Sequence, residues 1–236
     1  MDESVDVGAT VRKGEDIQVK LFTGSSVLSP GSLTDNVETI GTLLSPLAQE
    51  EVGTIRCIGL NVSLIDGIRP LRVVFVNGCF STSNMLTRWV WHIPQSLPFF
   101  CTPSSYTIFL PYHLTKTRKP ATCLADPWPA PTIIPKFAIP DNCADYEAEL
   151  AVIIGKTCKN VPESEALNYV LGYTAANDVS SRKTQFSSTQ WCFSKGFDGS
   201  CPIGPVLVTG INPRTLTLKG SRNGKIVQNC GLEYVI

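Results

Sequence analysis

The chain has 236 residues, and its 20 Lys and Arg balance 20 Asp and Glu, so its formal net charge is zero. Nucleic-acid-binding proteins need a basic excess to displace counterions from phosphates, so this composition disfavours nucleic acid as a partner. Apolar residues make up 43% of the chain and charged residues 17%, which excludes charge-driven disorder. The length predicts one domain, or a small domain plus a larger one.

Targeting and membrane signals are not evident in the sequence. The N-terminal MDESVDVGAT lacks the basic start and apolar stretch of a signal peptide. The apolar run Val73–Val76 ends at Asn77, well short of the roughly 18 apolar residues of a membrane-spanning helix. We therefore expect a cytoplasmic protein without membrane contact; a mitochondrial location is the alternative if the true start lies upstream. No Cys-x-x-Cys pair occurs, which favours reduced, mostly buried thiols over a zinc or disulfide framework.

The first predicted elements are short. The alternating residues Ile17–Phe22 predict a strand, the Gly, Ser and Pro residues around Ser25–Ser32 predict turns, and Val37–Leu47 predicts a short helix. The compact apolar run TIRCIGLN at 54–61 predicts a further strand.

Residues 62–117 differ from the rest of the chain. They hold both histidines, His92 and His113, one acidic residue, Asp66, and many aromatic residues, and prolines interrupt them repeatedly. Neither helical nor strand periodicity persists, so we assign no regular structure here. Three interpretations stay open: a flexible insertion, an aromatic docking surface that makes the protein a binding module, or sequence that is not native coding sequence.

The run DYEAELAVIIGK at 145–156 alternates and predicts a strand. Side chains two residues apart project from one face of a strand, so Glu147 and Glu149 point together. If that face is exposed, the two acids are simply solvated. If it faces a cleft, the like charges require a cation, and a hard divalent ion with oxygen ligands is the natural match.

A third carboxylate follows a helix predicted at Glu163–Leu171. Asp178 stands at a predicted strand end, Arg182 and Gln185 follow it, and a turn-rich stretch then presents Lys195. Three carboxylates for a metal, with Arg, Gln and Lys to hold an acidic substrate, form a coherent set. Taken singly, the Asn-Asp pair is also typical of a turn and the lysine of a surface charge.

Several spaced motifs resemble a known family. DYEAELAVIIGK, ALNYVLGYTAANDVSSRKTQ and SKGFDGSCPIGP resemble, in that order, successive motifs of the fumarylacetoacetate hydrolase family. TIRCIGLN and RKPATCLADPWPAP resemble its strand leading to the lid and its lysine-proline motif. The resemblance covers roughly 1–61 and 118–232. It implies an α+β, β-dominated fold: a fumarylacetoacetase C-terminal-like mixed β-roll at 54–236, interrupted at 62–117 and truncated at the C-terminus, with a small N-terminal subdomain at 1–53.

The resemblance also implies a chemistry. Family members are homodimers that bind Mg²⁺, sometimes Mn²⁺ or Ca²⁺, and act on small β-diketo or 2-oxo acids by C–C hydrolysis, decarboxylation or keto–enol tautomerisation, including that of oxaloacetate. A substrate that chelates the metal forms a metal-bound enolate, whose charge the metal and a lysine stabilise. The matching positions are Glu147, Glu149 and Asp178 as metal ligands, Lys195 as the catalytic residue, and Arg182, Gln185 and Lys119 as substrate-binding residues.

The chain departs from the family pattern in two places. In the hydrolases, a His and a Glu of the lid activate water, and this pair does not follow Asn61 here. His92 and His113 come much later in the sequence, so we do not expect either to replace the lid histidine. The family's C-terminal continuation does not follow either. We hypothesise that introns starting at Val62 and near Glu233 are retained in the message, which accounts for both departures from the family pattern. The alternative to an enzyme is then a catalytically inactive product that keeps only its metal site. Tautomerisation needs no attacking water, so it survives loss of the lid pair better than hydrolysis does.

Overall fold

The structure of the chain is a computed structural model. The described residues are Val7, Thr10, 13–58, 72–78, 116–140 and 142–232, and their side chains are described except for those of Ile58, 72–78 and Lys116. The predicted lid region after Ile58, both histidines and the two hypothetical intron starts lie outside these residues.

Strands dominate the described structure, which confirms the predicted α+β, β-dominated class. The strands are β1 (Gln18–Phe22), β2 (Leu33–Thr39), β3 (Val52–Ile58), β4 (Arg72–Gly78), β5 (Lys116–Lys119), β6 (Leu124–Ala125), β7 (Ala144–Asp145), β8 (Ala148–Ile154), β9 (Val170–Asn177), β10 (Ser180–Ser181), β11 (Cys201–Pro202), β12 (Thr217–Arg222) and β13 (Lys225–Gly231). The α-helices are α1 (Arg182–Ser187) and α2 (Cys192–Lys195), and 3₁₀ helices lie at Gln49–Glu51, Ala121–Cys123, Lys136–Ala138, Glu163–Tyr169 and Pro213–Thr215. Among the described residues, none of the helices is long and apolar enough to cross a bilayer.

A five-stranded sheet in the order β5-β3-β4-β8-β9 forms the centre of the fold. Strand β3 is antiparallel to β5 and β4, β4 is parallel to β8, and β8 is antiparallel to β9. The register pairs Ile55 with Lys119 and Glu149 with Ala176. Because directly paired residues share a face of the sheet, this register brings side chains from different strands together on one side.

Strand β8 sends apolar side chains to both faces of the sheet. Ala151 and Ile153 join one core cluster with Ile55, and Val152 and Ile154 join a second cluster. A strand buried on both faces is typical of the middle of a covered sheet. The polar residues that precede this apolar run are therefore held at the rim of a rigid core.

The N-terminal region has a small core of its own. The cluster consists of Val7, Ile17, Val19, Ile40, Leu43 and Val206. Val19 comes from β1, and Ile17 and Ile40 flank the hairpin of β1 and β2, while Val206 comes from far along the chain. Strand β3 begins at Val52 and joins the central sheet, so the boundary predicted after residue 53 lies close to this transition and stays a prediction.

The element predictions have mixed outcomes. The strands predicted at Ile17–Phe22 and within 145–156 are confirmed by β1 and β8. The helix predicted at Val37–Leu47 is wrong, because the chain up to Thr39 forms β2 and pairs with β1. The helix predicted at Glu163–Leu171 is a 3₁₀ helix that ends at Tyr169, since the next residue already starts β9.

The segment to which no regular structure was assigned contains strand β4 and the first two residues of β5. Strand β4 lies inside 62–117 and occupies the middle of the central sheet, so the expectation is wrong for Arg72–Gly78. Its run of Val and Phe residues has the length and composition of a buried strand. Residues 79–115 lie outside the described structure, and the three interpretations of the segment stay open.

The core assignment predicts a clear difference between two isoleucines. Ile153 is fully buried in the first cluster, so Ile153→Ala should lower the free energy of unfolding by about 2–5 kcal/mol, because it removes buried methyl groups and leaves a cavity. Urea denaturation followed by circular dichroism measures this loss. The control Ile226→Ala, on an exposed position of β13, should cost less than about 1 kcal/mol. Equal losses would contradict the placement of the core.

Candidate active site

One face of the central sheet carries a cluster of polar side chains at its edge, next to the apolar core. The core residues Ile55 and Ile153 lie on this face, and the two-residue period of a strand places Cys57 and Glu149 on the same face. Lys119 lies directly opposite Ile55 on the neighbouring strand. Three strands thus deliver a thiol, a carboxylate and an ammonium group to one side of the sheet.

Asp178 completes the cluster because it follows β9 directly, at the strand end where it was predicted. Its side chain is fully buried, with Lys119 Nζ 2.6 Å from Oδ1 and Lys195 Nζ 2.7 Å from Oδ2. Burial alone would raise the pKa of Asp178, but the two ammonium groups outweigh burial and hold its pKa below the usual value. The carboxylate is therefore charged at neutral pH.

Lys119 is enclosed by acceptors. Its Nζ lies beside Asp178 Oδ1 and donates to the Ser200 backbone oxygen at 2.9 Å and to Ser200 Oγ at 3.1 Å. Burial would lower the pKa of Lys119, but Asp178 raises it above its ordinary value. The Lys119 ammonium group is thus held between two serine oxygens that accept its hydrogen bonds and one carboxylate oxygen with which it forms an ion pair.

Lys195 joins the two acidic strand ends. This residue, at the end of α2, is fully buried, so the interpretation as a surface charge is wrong. Its Nζ donates to Glu147 Oε2 and to Asp178 Oδ2, each at 2.7 Å, and also to Ser180 Oγ. Ser200 Oγ donates to the Lys195 backbone oxygen at 2.6 Å, which connects the two buried lysines through one serine.

Arg182 lies on the more open side of the cluster. Its Nη1 is 2.6 Å from Glu147 Oε1 and donates to Gln185 Oε1 at 2.8 Å, while its Nε donates to Asp145 Oδ2 at 2.8 Å. Burial would lower the pKa of Arg182, but Glu147 and Asp145 raise it overall. The side chain is 25% exposed whereas Lys119 and Lys195 are enclosed, so Arg182 is the cation of this cluster that solvent reaches.

A divalent cation fits a group of three side chains in this cluster. Ligand atoms of Cys57, Glu149 and Asp178 lie within 4.8 Å of one another, and all three residues are buried. Burial, followed by the charges of Asp178 and Glu149, raises the pKa of the Cys57 thiol well above its usual value, so the thiol is neutral and the two carboxylates supply the oxygen donors. Oxygen donors of this kind suit Mg²⁺, Mn²⁺ or Ca²⁺.

The three carboxylates predicted as one ligand set have different neighbours. Glu149 and Asp178 belong to the group just described, whereas the Glu147 carboxylate contacts Lys195 and Arg182. The alternative that Glu147 and Glu149 occupy a solvated face is wrong, because both side chains are buried. The assignment of all three as metal ligands stays a prediction.

The structure also adds residues that the sequence patterns did not single out. Cys57 shares the alternation of Ile55 in the run TIRCIGLN, so the signal was present but had no partner in sequence. Ser180 and Ser200 were not recognisable, because a serine becomes an acceptor for a buried lysine only when distant segments meet. Asp145 was visible in the acidic run, but its pairing with Arg182 depends on the tertiary fold.

Comparisons with known proteins agree on one family. The model of the fumarylacetoacetate (FAA) hydrolase C-terminal region matches residues 90–236. A caffeoylpyruvate hydrolase of Neonothopanus nambi is 38% identical over 201 residues, which cover 84% of this chain and 56% of that protein. A mitochondrial oxaloacetate tautomerase of Xenopus laevis is 43% identical over 97 residues, which cover 39% of this chain and 30% of that protein. The chain thus spans about half, or less, of the length of these curated relatives.

A solved structure has the same fold over nearly the whole chain. The crystal structure of a 2-hydroxyhepta-2,4-diene-1,7-dioate isomerase from Mycobacterium marinum superposes with a TM-score of 0.61 at 25% identity, covering 93% of this chain and 66% of that one. This likeness supports the β-dominated architecture predicted from the sequence.

The charge state of Asp178 predicts a pH dependence of stability. Its pKa is lower in the folded protein than in the unfolded chain, so it stabilises the fold above its unfolded pKa of about 4, and this stabilisation is lost as the pH falls through the lower folded pKa. In the presence of a chelator, Asp178→Asn should therefore lower the melting temperature at pH 7 more than at pH 3. Melting curves from pH 2 to pH 7 measure the difference.

The matched control for this experiment is Asp198→Asn, since Asp198 is exposed. It should follow the wild-type curve throughout the pH range. A constant difference between wild type and Asp178→Asn from pH 7 to pH 2 would contradict the assignment of a lowered pKa to Asp178.

Proposed function

Because the chain belongs to the fumarylacetoacetate hydrolase family, we propose that it is a Mg²⁺-dependent enzyme that acts on a small 2-oxo or β-diketo acid. The observation that carries this proposal is the convergence of buried Glu149 and Asp178 beside Lys195, to which Glu147 connects Arg182. Two hard donors for a cation, next to two positive side chains, suit a substrate with a carboxylate and a neighbouring keto group.

The metal supplies Lewis-acid polarisation of the substrate's oxygen atoms when it is bound. Glu149 and Asp178 are the residues that would hold it, with Glu147 as the third ligand predicted from the family motif. Mg²⁺ is the proposed ion, with Mn²⁺ or Ca²⁺ as substitutes. The Cys57 thiol belongs to the same group and is neutral. The carboxylates are therefore the ligands that determine the preference for a hard ion.

Arg182 and Gln185 are proposed to bind the substrate's carboxylate. The guanidinium is partly exposed and already oriented by Asp145 and Glu147, so little side-chain freedom remains to be lost when an anion binds. Guanidinium groups bind carboxylates in two-point contacts. Gln185 accepts a hydrogen bond from Arg182, which keeps its amide beside the same position.

Lys195 is proposed as the catalytic residue. Two of its hydrogen bonds go to carboxylates and the third goes to the neutral Ser180 hydroxyl. Exchange of that neutral acceptor for a negatively charged substrate oxygen would strengthen the contact. Lys195 would thereby stabilise the negative charge that develops on the substrate oxygen when a proton leaves the neighbouring carbon.

Lys119 has a different place in this proposal. Its ammonium group already donates to both oxygen atoms of Ser200 and forms an ion pair with Asp178. We propose that it acts through Asp178, by keeping that carboxylate charged and oriented. Its predicted role in binding substrate remains a prediction, since it would require one of these contacts to be exchanged.

Two reactions remain within the proposal. C–C hydrolysis of an acylpyruvate needs a base that activates water, and the family's lid pair does not follow Asn61 in this sequence. Oxaloacetate keto–enol tautomerisation needs proton transfer but no attacking water. A homodimer and a subdomain boundary near residue 53 complete the proposal and rest on the resemblance, while the cytoplasmic or mitochondrial location rests on the composition of the N-terminal residues.

The activity test uses the full chain with Mg²⁺. Ultraviolet absorbance follows acylpyruvate cleavage and loss of the oxaloacetate enol in parallel. Lys195→Met and Glu149→Gln should each lower turnover by about 100-fold or more, because each removes a charge from the reacting region. The controls Lys225→Met and Glu163→Gln change exposed residues and should retain wild-type turnover.

The outcomes separate the two candidate reactions and the inactive alternative. Metal-dependent tautomerisation without cleavage assigns an isomerase, and cleavage assigns a hydrolase. A folded protein that binds Mg²⁺ but turns over neither substrate would refute the enzymatic proposal and favour an inactive family product.

A further inference from the structure

Two consecutive backbone amides at the acidic strand start are held by side-chain amides. The N–H of Glu147 donates to Asn177 Oδ1 at 3.2 Å, and the N–H of Ala148 donates to Gln228 Oε1 at 2.8 Å. Asn177 is the last residue of the neighbouring strand β9, but Gln228 lies in β13, 80 residues beyond Ala148. A distant hairpin thus reaches the peptide unit between Glu147 and Glu149.

Gln228 is placed with little freedom. Its side chain is 3% exposed, and a buried amide is costly unless it is hydrogen-bonded. Gly220, which pairs with Gln228 across the hairpin, permits the close approach. A Cβ atom at Gly220 would lie 3.1 Å from Gln228 Oε1 and 3.3 Å from the Ala148 Cβ. A Cβ atom at this position would thus require Gln228 or Ala148 to shift by a few tenths of an ångström.

We propose that Gln228 is a positioning residue of the active site, which sets the directions of the Glu147 and Glu149 side chains by holding the Ala148 amide between them. The two carboxylates have separate tasks in the structure. Glu147 contacts Lys195 and Arg182, whereas Glu149 lies with Asp178 in the metal-ligand group. The catalytic significance of this positioning rests on the proposed function.

The physical reason is the two-residue period of the strand. A shift or rotation of one peptide unit turns a side chain towards the opposite face of the sheet. Residues 149–154 of β8 are fixed by ladder pairing with both β4 and β9, but Glu147 precedes the strand. The hydrogen bonds that the Glu147 and Ala148 amides donate to Asn177 and Gln228 extend this constraint by two residues to the first carboxylate, together with the bond from the Asp178 N–H to the Glu147 carbonyl oxygen. Displacements of about 1 Å at such positions are enough to lower activity strongly.

The test compares two substitutions of Gln228, of which one removes the hydrogen-bond acceptor and the other keeps it. Gln228→Met keeps the length of the side chain and removes the acceptor, whereas Gln228→Glu keeps an acceptor oxygen in either protonation state. Gln18→Met, on an exposed position of β1, is the control. Each full-length protein is titrated with Mn²⁺ by electron paramagnetic resonance at a temperature at which it is fully folded, and exchange of the Ala148 amide is measured by NMR.

Gln228→Met is expected to weaken Mn²⁺ binding about 10-fold, the lower end of the range for residues that orient metal ligands, and to accelerate exchange of the Ala148 amide. Gln228→Glu should restore slow exchange, and Gln18→Met should match the wild type. Unchanged Mn²⁺ affinity and unchanged exchange in Gln228→Met would overturn the inference. Faster exchange with unchanged affinity would overturn it as well, because Gln228 would then be merely structural.

Failure of the proposed function gives a different result. If the wild type binds no Mn²⁺, the proposed metal site is refuted and the positioning role falls with it, whereas normal Mn²⁺ binding by the wild type with unchanged affinity in Gln228→Met refutes the positioning role alone. If Gln228→Met does not fold, Gln228→Leu provides the second variant, since it removes the same acceptor. Slow, wild-type exchange in that variant would overturn the inference.

Discussion

The site depends on the neutralisation of one buried carboxylate. Asp178 is fully enclosed, and an enclosed carboxylate without partners would cost several kcal/mol. Two lysines from different parts of the chain, Lys119 on β5 and Lys195 on α2, lie within ion-pair distance of its two oxygens. Because each lysine is itself enclosed, none of the three charges is stable without the others, and Ser200 connects both lysines.

This constraint joins the fold to the chemistry. The central sheet places Cys57, Lys119 and Glu149 on one face by strand alternation and register, and the apolar cluster beneath them keeps those strands fixed. Charged groups held in a dry environment need little reorganisation when a substrate develops negative charge. The same burial that makes the cluster costly in stability is therefore what makes it suitable for catalysis.

The sequence patterns predicted those features of the fold and the site that depend on the spacing of residues within one segment. Alternation predicted β8, and the position of Asp178 at a strand end followed from the order of elements. The sequence could not reveal that Glu147 faces Lys195 and Arg182 while Glu149 faces Cys57 and Asp178, since those partners come from distant segments. The helix expected at 37–47 failed because pairing with β1 outweighs local preference. Strand β4 was missed because prolines and irregular stretches surround a short apolar run.

The most direct test of the site is anomalous diffraction from crystals of the full chain soaked in Mn²⁺. A single strong peak between the carboxylates of Glu149 and Asp178, with Lys195 and Arg182 beside it, is the expected result. The peak should disappear in Glu149→Gln crystals, in which Asp178 should keep its contact with Lys119. No peak at this position in well-ordered crystals, or a peak at a distant surface site alone, would contradict the assignment of the buried charge cluster as a metal-dependent active site.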